Sequence, residues 1–387
     1  MSKPPLDGIR VLDLSRVLAG PWCTQTLADL GAEVWKVEAP GRGDDTRGWM
    51  PPDIGGESTY FLCCNRSKLS VEIDFKSERG HETVRALARQ ADVLVENFRL
   101  GALDAYGLGY EQLREINQRL IYCSISGYGR TGPRANEAGY DFTIQAESGL
   151  MSITGEPDGS PMKVGVAITD ILTGMNATQA ILAALIARGR DGEGQHIDIA
   201  LFDTAVSVMA NIASGYLATG RDTRRYGNAH PTVVPYQLFD TADGTLVLAV
   251  GSDSQFRSLC LKVIDRPDLA EDERFIRNQS RAGNRDVLVP LLADIFRRKR
   301  THEWMEALRA SGVPGGKVRK VSEVFASPEV RERGLVCEVP DEIHGTVRLV
   351  RSPIRFSRSP LREMTAPPRL GEHTETVLAR ARPHPPS

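Results

Sequence analysis

Short apolar runs alternate with helically periodic stretches along the first half of the chain. Residues 9–14, 32–37, 69–73, 92–96 and 120–124 read as buried strands, and 21–30, 81–90, 102–106 and 111–117 as helices. Pro21 opens the first helix, where its missing N–H is harmless. Such alternation builds a mainly parallel sheet. The loop RVLAGP at 16–21 leaves the carboxyl end of the first strand, where open α/β sheets bind ligands.

The pattern then centres on 163–203. A short apolar run, 164–168, reads as a strand that hands over at Thr169-Asp170. Apolar residues at 171, 172, 175, 181, 182, 185 and 186 predict a helix over 171–188, and a polar Gly-rich turn leads to a strand at 196–200. A further helix is expected from Asp203 to about 216. Beyond it the texture changes: a loop over 217–235, a hairpin over 236–250 turning at Ala242-Asp243-Gly244, and helices near 254–264, 285–298 and 301–311. This reads as a second, smaller domain over roughly 225–325. Strands near 335–339 and 346–357 and a helix starting near Glu372 follow, and the closing ARPHPPS is expected to be disordered.

A chain of 387 residues is long for one core, and 41% hydrophobic with 25% charged residues is ordinary for a globular protein. A net charge of −2 makes no case for nucleic acid or a membrane surface as partner. Thr173, Asn176, Thr178 and Gln179 in the most apolar helix argue against a membrane span, and MSKPPLDGIRVLDLS lacks the apolar core of a signal peptide. The six cysteines are scattered, the adjacent Cys63-Cys64 is no metal-ligand spacing, and no histidine cluster accompanies them. Reduced thiols, no metal and a cytoplasmic location are expected.

Two motifs offer chemistry. Gly127-Tyr128-Gly129-Arg130-Thr131-Gly132 fits GxGxxG after a strand, but Pro133, Arg134 and Asn136 follow where a dinucleotide fingerprint opens a helix, so it reads as a loop. Asp170 has two readings that do not exclude each other. It is a helix N-cap, or a carboxylate at the dipole-positive end of a helix acting as a nucleophile.

Taken in order, the segments at 5–47 (beginning PLDGIRVLDLSRVLAGPW), NRSKLSVEIDFK, ADVLVENFRLGALDAYGLGY, IYCSISGYGRTGP, GYDFTIQAESGLM, TDILTGMNATQAILAAL, GEGQHIDIALFD, GNAHPTVVPYQLFDTADG, GVPGGKV and LGEHTETVL resemble the class III CoA-transferases of the CaiB/BaiF, formyl-CoA and carnitine type. The resemblance covers nearly the whole chain. It implies an α/β fold in which a large CoA-binding domain with a Rossmann-like sheet is made from both chain ends, 1–215 and 326–387. A small α+β domain at 225–325 is inserted after a linker at 216–224. Two such subunits interlock as a homodimer.

The implied reaction moves CoA from an acyl-CoA to a carboxylic acid acceptor, through mixed anhydrides and an aspartyl-CoA thioester. Coenzyme A enters as substrate, and no cofactor is bound permanently. By resemblance Asp170 is the nucleophile and Tyr140 its catalytic neighbour, with N–H groups at Thr173 and Gly174 as support. Val17, Leu18, Ala19, Ile73, Lys76, Asn97, Phe98, Arg99 and Asp141 match CoA contacts, with Gly20 allowing close approach. Arg42, Arg47 and Lys68 are nearby cations. Ala39, Ala105 and Ala138 stand where related proteins often carry other, commonly basic, residues, which leaves Arg99, Lys76 or Arg134 for the phosphates. His230 is a candidate for the acyl end of the substrate, and Arg224, Arg225 and His230 for the acceptor carboxylate. Succinyl-CoA is the donor that the resemblance suggests.

An acyl-CoA racemase on the same scaffold is the alternative. Those racemases carry His-Asp-Ile-Asn-Tyr, whose His is an acid/base, where this chain has Tyr-Asp-Phe-Thr-Ile at 140–144, so this chain lacks one of the two bases for Cα proton transfer.

Overall fold

Six of the expected strands form one sheet in the computed structural model, which describes residues 2–381. Across the sheet they run Leu69–Glu72, Glu33–Glu38, Arg10–Asp13, Val93–Glu96, Ile121–Ser126 and His196–Ala200. Every pairing is parallel. Val11 is flanked by Val34 on one side and Val93 on the other. The winding therefore reverses beside Arg10–Asp13, and a crevice opens at the carboxyl ends of that strand and Val93–Glu96.

Both faces of the sheet are covered, which explains why its strands read as continuous apolar runs. Val11, Val34, Val93 and Ile121 face a core shared with Cys23, Leu27 and Ile181 from the helices Ala19–Asp29 and Ile168–Asp191. Leu12, Trp35, Leu94 and Tyr122 point the other way, to Val84 and Leu87 of Glu78–Ala88 and Val377 of Thr374–Ala381. The C-terminal segment is tied to the edge strand, with the His373 N–H on the Ser70 carbonyl at 2.9 Å.

Contacts divide the chain into two units: the chain to Leu150 with Lys163–Arg221 and the chain from Pro328, and Met151–Met162 with Asp222–Ser327. Residues 151–162, expected with the larger domain, fall in the second unit. There the Gly227 N–H donates to the Gly155 carbonyl at 3.1 Å, and the Arg225 guanidinium binds the Glu156 and Gly159 carbonyls. The second unit has an antiparallel sheet in the order Gly315–Lys317, Thr245–Ala249, Tyr236–Asp240. Its core gathers Phe239, Leu246, Phe256, Phe296 and Trp304.

Three expectations change. Residues 164–168 form no strand, because the Val164 N–H is taken by the Gln145 side chain at 3.0 Å and the helix already begins at Ile168. That helix runs on to Asp191 and ends at Gly192, whose φ of 85° suits glycine. The single helix expected after Asp203 is two, Leu201–Ser207 and Ala210–Thr219. Ile168–Asp191 alone among the described helices is long and apolar enough to cross a membrane, and it packs on the helix Ala19–Asp29. The final stretch from 382 lies outside the described residues.

A candidate active site at the switch point

The loop after the first strand is held from beneath by buried charges. The Asp13 carboxylate accepts the Ser15 N–H at 3.0 Å, the Thr24 hydroxyl at 2.6 Å and the Lys68 ammonium at 3.1 Å. Lys36 donates to Asp44 at 2.9 Å and to the Ser15 carbonyl at 3.1 Å. Asp44 in turn accepts the Val17 N–H at 3.3 Å. Burial alone would raise the Asp44 pKa, but the Lys36 charge and the Thr46 N–H hold it down to about 2. These anchors keep Val17 at a φ of 72°, unfavourable for a β-branched residue and a mark of functional loops.

A second clip joins the two sides of the crevice. The Arg16 N–H donates to the Asn97 side chain at 2.9 Å, and the Asn97 amide returns a bond to the Arg16 carbonyl at 2.8 Å. Between them lies a cleft of about 260 Å³. Val17, Leu18, Ala19, Asn97, Phe98, Arg99, Tyr140 and Asp170 line it, and so does Arg16. The helix Ala19–Asp29 starts at this cleft with neither a side-chain cap nor an acidic residue in its first turn. Its dipole-positive end is open to an anion.

The other expected ligand contacts lie elsewhere. Ile73 is 4% exposed within the core, and Lys76 is exposed outside the cleft lining. Arg47 grips Glu38 through two bonds of 2.8 Å and covers the Phe61 ring. Lys68 is fully buried on Asp13, so both cations serve the scaffold. Arg42 pairs with Asp45 at 3.1 Å. Arg134 pairs with Glu137 and Glu147 and lies over Tyr128. Arg99 is exposed in the cleft and makes no ion pair among the described residues. His230 belongs to the second unit, where its Nδ1 accepts the Thr232 and Val233 N–H groups at 3.1 and 3.0 Å. Gly20 gives room to Ser15: a Cβ there would meet that side chain at 2.3 Å.

Asp170 is the third residue of its helix, not the cap. The capping is done by Asp141, whose Oδ1 accepts the Thr169 N–H at 2.8 Å and the Asp170 N–H at 3.3 Å. Gln145 holds the other Asp141 oxygen at 2.6 Å. The Asp170 carboxylate is thereby released from capping and accepts no hydrogen bond among the described residues. Burial and then the Asp141 charge push its pKa up to about 7. Thr173 and Gly174 lie inside the helix, so their N–H groups are not free ends. Gly174 instead seats the helix, since a Cβ there would stand 2.6 Å from the Ala19 carbonyl.

Arg16 and Tyr60 were not anticipated as site residues. Arg16 adjoins the expected loop residues and sits 5.5 Å over the Phe98 ring. Tyr60 has its hydroxyl pKa raised by burial and then by the Asp170 charge, which places it in the electrostatic reach of that carboxylate. No local pattern around Tyr60 signals this. Among the described residues no group of three His, Cys, Asp or Glu side chains is placed to hold a metal ion.

The fold and the crevice define a doubly wound α/β protein with an ungripped carboxylate in its ligand cleft. Residues 6–374 match the CoA-transferase family III pattern, and the chain belongs to that family of enzymes, which transfer CoA between an acyl-CoA and a carboxylic acid. It is 48% identical over 383 residues to a succinate–glutarate CoA-transferase of Agrobacterium fabrum, covering 97% of this chain and 96% of that one. It is 44% identical over 374 residues to a succinyl-CoA:glutarate CoA-transferase of Homo sapiens, covering 97% and 85%. The crystal structure of a CAIB/BAIF family protein from Brucella suis, 47% identical, superposes with a TM-score of 0.87 over 99% of this chain and 100% of that one.

Proposed function

We propose that this CoA-transferase works through Asp170 and takes small dicarboxylic acids, of the succinate and glutarate size named for its relatives. The observation that carries the first part is the free carboxylate. Asp170 lines the cleft while Asp141 does its capping, so its oxygens are available to attack.

An Asp170 oxygen adds to the donor thioester carbonyl and expels CoA thiolate, leaving a mixed anhydride. The thiolate attacks the aspartyl carbonyl of that anhydride, releasing the donor acid and forming an aspartyl-CoA thioester. The acceptor carboxylate displaces the thiolate again to give a second anhydride. The thiolate then attacks the acceptor's acyl carbon, which yields the new acyl-CoA and restores the carboxylate. Arg99 and the N-terminus of Ala19–Asp29 supply positive potential for CoA phosphates, Arg16 being paired with Asp45 at 3.3 Å, and the loops 17–19 and 97–99 are the walls along which the CoA lies. Tyr140, 67% exposed and lining the cleft, is the hydroxyl offered to the oxyanion. Among the described residues that line the cleft there is no histidine, so racemisation lacks its imidazole.

The same proposal includes an interlocked homodimer in a reducing, cytoplasmic setting. The helix Ala210–Thr219 buries none of its residues although it carries Ile212, Tyr216 and Leu217. An apolar groove lined by Trp22, Met175, Leu349 and Val350 is open as well. Monomers rarely leave such surfaces uncovered. All six cysteines are free.

The test is chemical trapping. Incubation with succinyl-CoA or glutaryl-CoA, followed by hydroxylamine or borohydride, should mark the peptide that contains Asp170. An unmodified Asp170 in protein that still exchanges CoA would remove the covalent reading.

A further inference from the structure

Among the described residues of the first unit, the buried hydroxyls of Ser148, Thr169 and Thr173 have no hydrogen-bond partner. Such groups are rare in folded proteins, because each has given up its water for nothing in return. Thr173 stands out. It is 0% exposed and lies inside the helix Ile168–Asp191, where a threonine hydroxyl can settle on the carbonyl three or four residues earlier. Thr178 of the same helix does so, donating to the Gly174 carbonyl at 2.8 Å. Thr173 does not.

Its place on the helix supplies a partner. Residues three apart are neighbours on a helix surface, with Cβ atoms about 5–6 Å apart, and helical side chains lean toward the N-terminus. Thr173 therefore leans over the turn that carries Asp170, whose carboxylate also accepts no hydrogen bond among the described residues. Thr169 directly precedes Asp170, and adjacent helix positions do not face each other. Threonine uses two χ1 rotamers in a helix, so one rotation brings the idle hydroxyl toward a carboxylate oxygen one turn back.

We propose that Thr173 is a positioning residue for the Asp170 nucleophile: its hydroxyl bonds the carboxylate when that group is charged and lets go when it is protonated or acylated. The inference rests on the reading of Asp170 as the nucleophile. In that reaction the carboxylate is charged only at the start and end of each turnover, and neutral as anhydride or thioester between them. A neutral, rotatable donor orients the attacking oxygen while gripping it less tightly than a lysine or arginine would. A bond to the charged form also draws the pKa down, against the burial and the Asp141 charge that raise it.

The other charged or titratable groups around Asp170 are Asp141 from Asp141–Glu147, Tyr60 from Thr59–Leu62, and Arg16, Asp45, Arg99, Glu137 and Tyr140 in the cleft wall. Of the other packed helices, Leu201–Ser207 brings Asp203, and Ala19–Asp29 has no acidic residue in its first turn. Thr173→Val alters none of them. It keeps the branched shape and removes the hydroxyl alone.

The pH profile of kcat/KM for transfer from succinyl-CoA to glutarate is compared in the native enzyme, Thr173→Val and Thr173→Ser. Its midpoint should move up by at least about half a pH unit in Thr173→Val and return in Thr173→Ser, which keeps the donor. If Thr173→Val does not fold, Thr173→Ala is read in its place. A midpoint that stays put overturns the assignment, and so does an equal shift in Thr173→Ser, since the hydroxyl is then not the cause. If the native enzyme shows no such transfer, or trapping leaves Asp170 unlabelled, the functional reading fails on its own. The bond is then judged by carbon NMR titration of aspartate-labelled protein, with Asp170→Asn assigning the signal. A higher Asp170 pKa in Thr173→Val supports the bond, and an equal one sinks it.

Discussion

At the scale of single residues, Asp141 and Asp170 divide two jobs that the sequence presented as one. The Thr169-Asp170 handover marked a helix start, but the cap comes from a residue twenty-nine positions earlier, which no local pattern reveals. The consequence is a carboxylate whose pKa is pushed up to about 7 from the usual 3.8. Since the nucleophile must be ionised, kcat/KM should rise with pH up to about 7 and level off above it. Asp141→Asn keeps an oxygen acceptor for the two N–H groups but removes the neighbouring charge, so the midpoint of that profile should move to lower pH. A midpoint that stays put in Asp141→Asn would show that Asp141 does not act on Asp170. The stability effect has the opposite sense to the usual carboxylate. The folded state holds this proton between about pH 4 and 7 while the unfolded state does not, so folding weakens as pH rises through that window. Asp170→Asn should then abolish adduct formation, lower transfer by about a thousandfold or more, and stabilise the protein at pH 8 by about 2 kcal/mol in chemical denaturation.

At the scale of elements, the cleft depends on how closely the long helix and the first loop approach. Gly174 is the contact point, and Gly174→Ala would force a methyl group to within 2.6 Å of the Ala19 carbonyl. A loss of about 1–3 kcal/mol in denaturant unfolding, together with a raised KM for acyl-CoA, is expected, and an unperturbed KM would uncouple the helix from the loop. Beneath the loop, Lys68→Met leaves Asp13 buried without its cation and should cost about 3–5 kcal/mol. The strands were legible because each has apolar partners on both faces of the sheet, as Val11 and Leu12 do. The run 164–168 looked the same by composition, but its N–H groups find side chains and turns in place of a strand edge. Residues such as Val17, Asn97 and Arg99 were recognised through resemblance. The roles of Lys68 and Arg47 were not legible, because only the fold shows that their charges are already spoken for by Asp13 and Glu38.

At the scale of the whole molecule, the exposed apolar surface carries the last expectation. Leu217 is 82% exposed, Ile186 67% and Tyr216 51%, all on the first unit's helices. The C-terminal segment is bonded back to the sheet through the Ser70 carbonyl and hydroxyl, at 2.9 Å to His373 and 2.9 Å to Gly371, so the chain closes on itself. Two closed chains that interlock differ physically from two that merely touch. A face-to-face dimer dissociates on dilution into folded monomers. An interlocked one separates only when a chain opens, which means losing the bonds that close it. Light scattering should therefore give twice the chain mass down to the lowest concentrations measurable. The denaturation midpoint should rise with protein concentration, because folding and association occur together. Leu217→Asp should lower that midpoint without producing a folded monomer. A folded, monomeric species from dilution or from Leu217→Asp would replace interlocking with ordinary surface contact.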